Sequence, residues 1–121
     1  MEVSSYNKAK GTKFEVDLED YLNEALMKAR RLPRAGAKDI GDVALILKVL
    51  TIVIEAKNVK KQDMSEWLRQ ADVESCNYEL KYGVPTIPVV ATKTRQKGIG
   101  ETRVTMSLDT LLELIRMLGA S

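Results

Sequence analysis

Residues 42–57, DVALILKVLTIVIEAK, constrain the fold more than any other stretch. Val, Ile and Leu dominate it, and branching at Cβ favours extended backbone, where such side chains pack well on a pleated surface. The run is too long for one strand, and Lys48 interrupts it. It therefore reads as two strands, residues 42–47 and 50–57, joined by a tight turn centred between Lys48 and Val49. That register sets Asp42 opposite Glu55.

Strand alternation puts Thr51, Val53, Glu55 and Lys57 on one face, and Ile52, Ile54 and Ala56 on the other. Glu55 and Lys57 project to the same side, roughly 7 Å apart at two strand rises. Like charges facing each other across a strand pair destabilise it, so Asp42 and Glu55 need a cation between them. Lys57 is one candidate. A hard divalent ion is a better one, because Mg²⁺ takes carboxylate and carbonyl oxygens plus waters. The Ala56 carbonyl could add a further oxygen. Such an ion would hold a phosphate oxygen and acidify a bound water, with Lys57 orienting that water or balancing the developing charge.

The chain contains no histidine and one cysteine, Cys76. That removes histidine general bases, histidine-dependent nucleophiles, thiolate metal clusters and intrachain disulfides. Any catalysis must use carboxylates, lysines, hydroxyls or a metal held by oxygen. With 45% hydrophobic and 30% charged residues the 121-residue chain reads as one globular domain, residues 1–121. No apolar run approaches the roughly 18 residues of a membrane span, and MEVSSYNKAKGTK lacks a signal-peptide core. The expectation is a cytoplasmic protein without membrane attachment.

Residues 1–10 are polar and expected to be loosely held. A helix is expected from Thr12, with Glu15 completing a capping box and Phe14, Leu18, Tyr21, Leu22, Ala25 and Leu26 forming its apolar stripe. Pro33 and Gly36 end it, and a short edge strand is expected near residues 30–33. After the hairpin, Asp63 and Glu66 suggest a second capping box opening a helix over residues 64–82, closed by Gly83. PTIPVVAT and TRVTMS read as strands, with the basic loop KTRQKGIGE between them. Ser107 caps a last helix with Leu108, Leu111, Leu112, Ile115 and Leu118 on its apolar face. Trp67, Leu68, Ala71 and Tyr78 read as core, and Cys76 as a small packing residue. The element order, α-β-β-β-α-β-β-α, predicts an α/β fold, a mixed sheet flanked by helices.

Basic residues gather in three windows: Lys28, Arg30, Arg31, Arg34 and Lys38; Lys57, Lys60 and Lys61; and Lys93, Arg95, Lys97 and Arg103. Brought together, they would make a face suited to a polyanion. Arg34, Lys38, Lys60, Lys61, Lys93, Arg95 and Lys97 are the candidate phosphate contacts.

GDV followed by IEAKN resembles the catalytic signature of the PD-(D/E)xK nuclease superfamily, and most closely its archaeal-type Holliday junction resolvases and their phage relatives. KGTKFEVDL resembles that family's opening helix, whose glutamate matches Glu15. LPRAGAKDIGDV resembles the loop and strand carrying its acidic residue, matched by Asp42, with Asp39 as a rival. WLRQA resembles a segment of the following helix and puts Gln70 near the site. The similarity spans most of residues 10–95, and Gly41 departs from it by standing where the signature has proline. The resemblance implies a restriction-endonuclease-like fold and a Mg²⁺-dependent endonuclease cutting branched DNA such as four-way junctions, with Mn²⁺ as a workable substitute. Its implied site joins Glu15, Asp42, Glu55 and the Ala56 carbonyl as metal ligands, with Lys57 and Gln70 beside them. It also implies a homodimer; in the sequence itself, the last helix or the helix around Trp67 could supply the interface. Two alternatives stay open: a nuclease acting on duplex or flapped DNA, and a catalytically silent DNA-binding domain.

Overall fold

The structure, a computed structural model, describes residues 2–25 and 27–119, with side chains from Lys8 onward. Its elements are α1 (Glu2–Glu24), β1 (Lys28–Arg31), β2 (Val43–Ile46), β3 (Thr51–Lys57), α2 (Met64–Tyr82), β4 (Thr86–Thr92), β5 (Arg103–Thr105) and α3 (Leu108–Met117). This is the expected order. The strands form one sheet in chain order, β1-β2-β3-β4-β5. The first three run antiparallel to their neighbours, β3 and β4 are parallel because α2 carries the chain back between them, and β5 returns antiparallel. β5 pairs only with Val90, Ala91 and Thr92, so Pro88 lies outside its ladder.

The hairpin register is the expected one: Val43 pairs with Ile54 and Ala44 with Val53. Alternation then sorts the sheet into two cores. Val43, Ile54, Ile87, Val89 and Ala91 pack with Phe14 and Leu18 of α1, whereas Ala44 and Val53 pack with Tyr78, and Val90 with Trp67 and Ala71, all of α2.

Both expected capping boxes are absent. α1 begins at Glu2, so Thr12 lies inside the helix and caps nothing. The added segment, residues 2–11, is free of proline, which lets the helix run through Gly11. Leu26 lies outside the described residues, and Tyr21 of the expected stripe is exposed. At α2, Asp63 makes no side-chain capping bond and Glu66 pairs with Arg69 instead. The helix does end at Gly83, in the left-handed conformation with its N–H on the Glu79 carbonyl at 2.8 Å. Cys76 is exposed rather than packed, because α2 turns Trp67, Ala71, Ser75 and Tyr78 inward.

Ser107 caps α3 as expected, accepting the Thr110 N–H at 3.0 Å. The apolar face of that helix points outward, while Leu114 and Met117 pack against the α1-side core. Among the described residues no helix is long and apolar enough to cross a membrane.

Candidate active site

Glu55 and Lys57 are carried by the C-terminal end of β3, on its α2-facing side. The hairpin brings Asp42 beside them. Its N–H donates to the Ile54 carbonyl at 3.0 Å, and its Oδ2 accepts the Ala56 N–H at 2.8 Å. Gly41 makes this approach possible. It has φ of 104°, and a Cβ there would stand 2.5 Å from Val53 Cγ1. α1 adds Glu15 and α2 adds Gln70. Glu15, Arg34, Asp39, Asp42, Glu55, Ala56, Lys57 and Gln70 line one cleft of about 780 Å³, together with Lys8, Gly11, Thr12, Asn58 and Val59.

Within the cleft, Lys57 Nζ lies 3.2 Å from Glu55 Oε2 and 3.3 Å from Gln70 Oε1, and sits 5.8 Å from the Trp67 ring centroid. Glu15 is held by two guanidiniums, with Arg34 Nη2 at 3.2 Å and Arg31 Nε at 3.5 Å. Asp39 plays a different part from Asp42. Its Oδ1 accepts the Ala35 N–H and its carbonyl accepts from Asn77, so it shapes the turn before β2.

Negative charge is in excess at the deep end. Glu15, Asp42 and Glu55 are all buried. Burial and the adjoining Asp42 carboxyl push Glu55 up to about 9, and Lys57 offsets this only in part. Glu15 is raised by burial and Asp42, with Arg34 and Arg31 opposing.

A fourth carboxylate, Glu74, was not among the residues expected here. It is 3% exposed and neither oxygen meets a protein donor. Burial and Asp42 push it up to about 7, and the neighbouring Glu55 carboxyl can bond to it only when one of the two holds a proton. The signal was present: Glu74 follows Gln70 by one helical turn, so the two share a face.

Two adjacent hard carboxylates with unbalanced charge suit a divalent cation in donor type, and the Ala56 carbonyl lies beside them. Glu15 does not fit as it stands, because Arg31 and Arg34 already neutralise it. No group of three acidic or cysteine side chains among the described residues is assembled closely enough to hold a metal ion. The expected ligand triad of Glu15, Asp42 and Glu55 is therefore not assembled in this conformation: Lys57 and the two arginines stand on two of its members.

The basic windows divide. Lys93 N–H donates to the Lys57 carbonyl at 3.1 Å, so the loops carrying Lys60, Lys61, Lys93, Arg95 and Lys97 leave the sheet at the cleft end, where all five are exposed. Arg34 enters the cleft, but Lys38 lines a separate groove with Ile40 and Leu80. Arg30 lies over the Tyr82 ring, 5.6 Å from its centroid, and so belongs to the opposite end of α2.

No protein-family model matches the chain, and neither does any curated protein. Among solved structures it resembles Hjc, a Holliday junction resolvase from the archaeal hyperthermophile Archaeoglobus fulgidus, with a TM-score of 0.53. The fold is restriction-endonuclease-like. The two share 24% identity over 78% of this chain and 70% of that one, a likeness that carries the arrangement of strands and helices.

Proposed function

We propose that the protein is a divalent-metal-dependent endonuclease acting on branched DNA, a Holliday junction resolvase in type, using Mg²⁺ or Mn²⁺ and working as a homodimer. One observation carries the reading. Asp42 and Glu55 are buried side by side, joined through the Ala56 N–H, with Lys57 on Glu55 and exposed basic loops around the same cleft. Buried carboxylates beneath a polyanion-binding surface repel phosphate unless a cation intervenes.

Asp42, Glu55 and the Ala56 carbonyl would hold that cation. When bound it supplies a Lewis acid for a phosphate oxygen and a more acidic water. Lys57, steadied by Gln70, carries a positive charge to the place where negative charge develops on the attacked phosphodiester. Arg34 and the loop residues Lys60, Lys61, Lys93, Arg95 and Lys97 bind flanking phosphates. Arg31 and Arg34 hold the Glu15 carboxyl at the end of the site and oppose the rise that burial and Asp42 cause. Two symmetric cuts on a four-way junction need two such clefts related by a two-fold axis, hence the dimer. The fold's likeness to the Archaeoglobus fulgidus resolvase agrees with this substrate class.

The test compares cleavage of a four-way junction with cleavage of a linear duplex of the same sequence, in Mg²⁺ and in EDTA. Faster cutting of the junction, abolished by EDTA, is expected. Equal cutting of both would indicate a duplex nuclease, and salt-sensitive binding without products in either buffer would indicate a silent DNA-binding domain.

A further inference from the structure

We infer that α3 is the centre of a two-fold interface between two copies of this chain, with the two α3 helices packed antiparallel. The inference rests on the dimeric reading above and assigns the surface that makes the dimer.

α3 turns its strongest apolar surface to solvent. Leu108 is 70% exposed, Leu112 41% and Ile115 40%. Their spacing of four and then three residues is that of a coiled-coil seam. Leu111 and Leu118 extend the patch along one flank of that seam, and both are exposed. Contiguous apolar surface of this kind marks an interaction site. On the other candidate helix, α2, Trp67 itself is 8% exposed and packs in the core.

The charges identify the occupant. Asp109 and Arg116 each follow a seam residue directly, so both lie on the other flank of the seam. Neither has an ion-pair partner among the described residues. They are seven residues apart, about 10 Å along the axis, too far to pair with each other within one helix. In an antiparallel two-fold pair, like flanks face each other and the helix ends exchange. Asp109 of one copy then meets Arg116 of its partner, and Arg116 meets Asp109. A parallel pair would instead set the Asp109 and Arg116 flank of each copy against the Leu111 and Leu118 flank of its partner and leave both charges unpaired. The same ten-residue helix is thus self-complementary in shape and in charge in one orientation only.

Self-association is measured by sedimentation equilibrium on the full chain without DNA. Wild-type protein is expected to dimerise at micromolar concentrations. Leu112→Asp should weaken the dimer about a hundredfold or more, because it buries an unpaired charge. Asp109→Arg and Arg116→Asp should each weaken it about tenfold by setting like charges against each other, and the double variant should recover most of that affinity. Circular dichroism checks that each variant keeps the wild-type fold. A wild-type chain that stays monomeric, or a double variant no tighter than either single one, would overturn the inference. Junction cleavage is scored separately. A cleaving monomer removes the interface and leaves the nuclease reading, whereas an inactive protein whose charge swap restores the dimer does the reverse.

Discussion

The backbone N–H of Ala56 donates to Asp42 Oδ2 over 2.8 Å, so the hairpin ladder itself ties one acidic side chain to the residue after the other. The distance between Asp42 and Glu55 is therefore set by strand pairing, and not by two flexible side chains finding each other. Asp42→Asn should keep this link and the fold while removing a charge. The expected outcome is a thermal midpoint at or above wild type with cleavage abolished, measured by calorimetry and junction cleavage on the same sample.

Gly41→Ala should separate geometry from charge. Its φ of 104° strains any L side chain, and the new Cβ would strike Val53 Cγ1 in the core. A destabilisation of about 2 kcal/mol or more is expected from urea unfolding, with weaker cleavage even where the protein stays folded.

Metal-free stability should fall as pH rises. Glu55 ionises near 4.5 in the unfolded chain and near 9 in the folded one, so between those values the folded state holds the extra proton and unfolding becomes easier with pH. The slope is bounded by about 1.4 kcal/mol per pH unit for one such group. The melting temperature of EDTA-treated protein should therefore drop from about pH 5 to about pH 9. Glu55→Gln should flatten the curve, and Mg²⁺ should raise it most at the alkaline end. Glu74 points the same way, and Glu74→Gln should raise the metal-free midpoint by a few degrees near about pH 8, since about 1 kcal/mol is worth a few degrees in a domain of this size.

Lys57→Met should leave junction affinity within about twofold and reduce cleavage roughly a hundredfold or more, the usual cost of removing one donor aimed at developing charge. Gel shift and single-turnover cleavage separate the two effects.

Lys93→Ala, Arg95→Ala and Lys97→Ala should each weaken DNA binding. Each should also lower the slope of log affinity against log salt by about 0.9 for every phosphate it no longer neutralises. Lys38→Ala, whose side chain lines a groove away from the cleft, should change neither.

What was legible in the chain was what local chemistry decides. The Val/Ile run specified two strands, and a turn at Lys48–Val49 specified the register that joins Asp42 to Glu55. Gly83 and Ser107 marked helix ends because each satisfies backbone groups within one turn. The failures lie where a distant group intervenes. Thr12 and Glu15 have the spacing of a capping box, yet the helix continues past them and Glu15 turns to Arg31 and Arg34, which arrive from the next strand and loop. Glu74 was not among the expected residues, because only the packing of α2 over β3 buries it beside Glu55. The first basic window split because β1 alternates, sending Arg30 toward Tyr82 and Arg31 toward Glu15.

The most direct test of the central claim incubates wild-type protein and Glu55→Ala with labelled four-way junction DNA in Mg²⁺. Products from wild type, none from the variant, and equal junction binding by both are predicted. Cleavage by Glu55→Ala at the wild-type rate would contradict an active site built on Asp42 and Glu55.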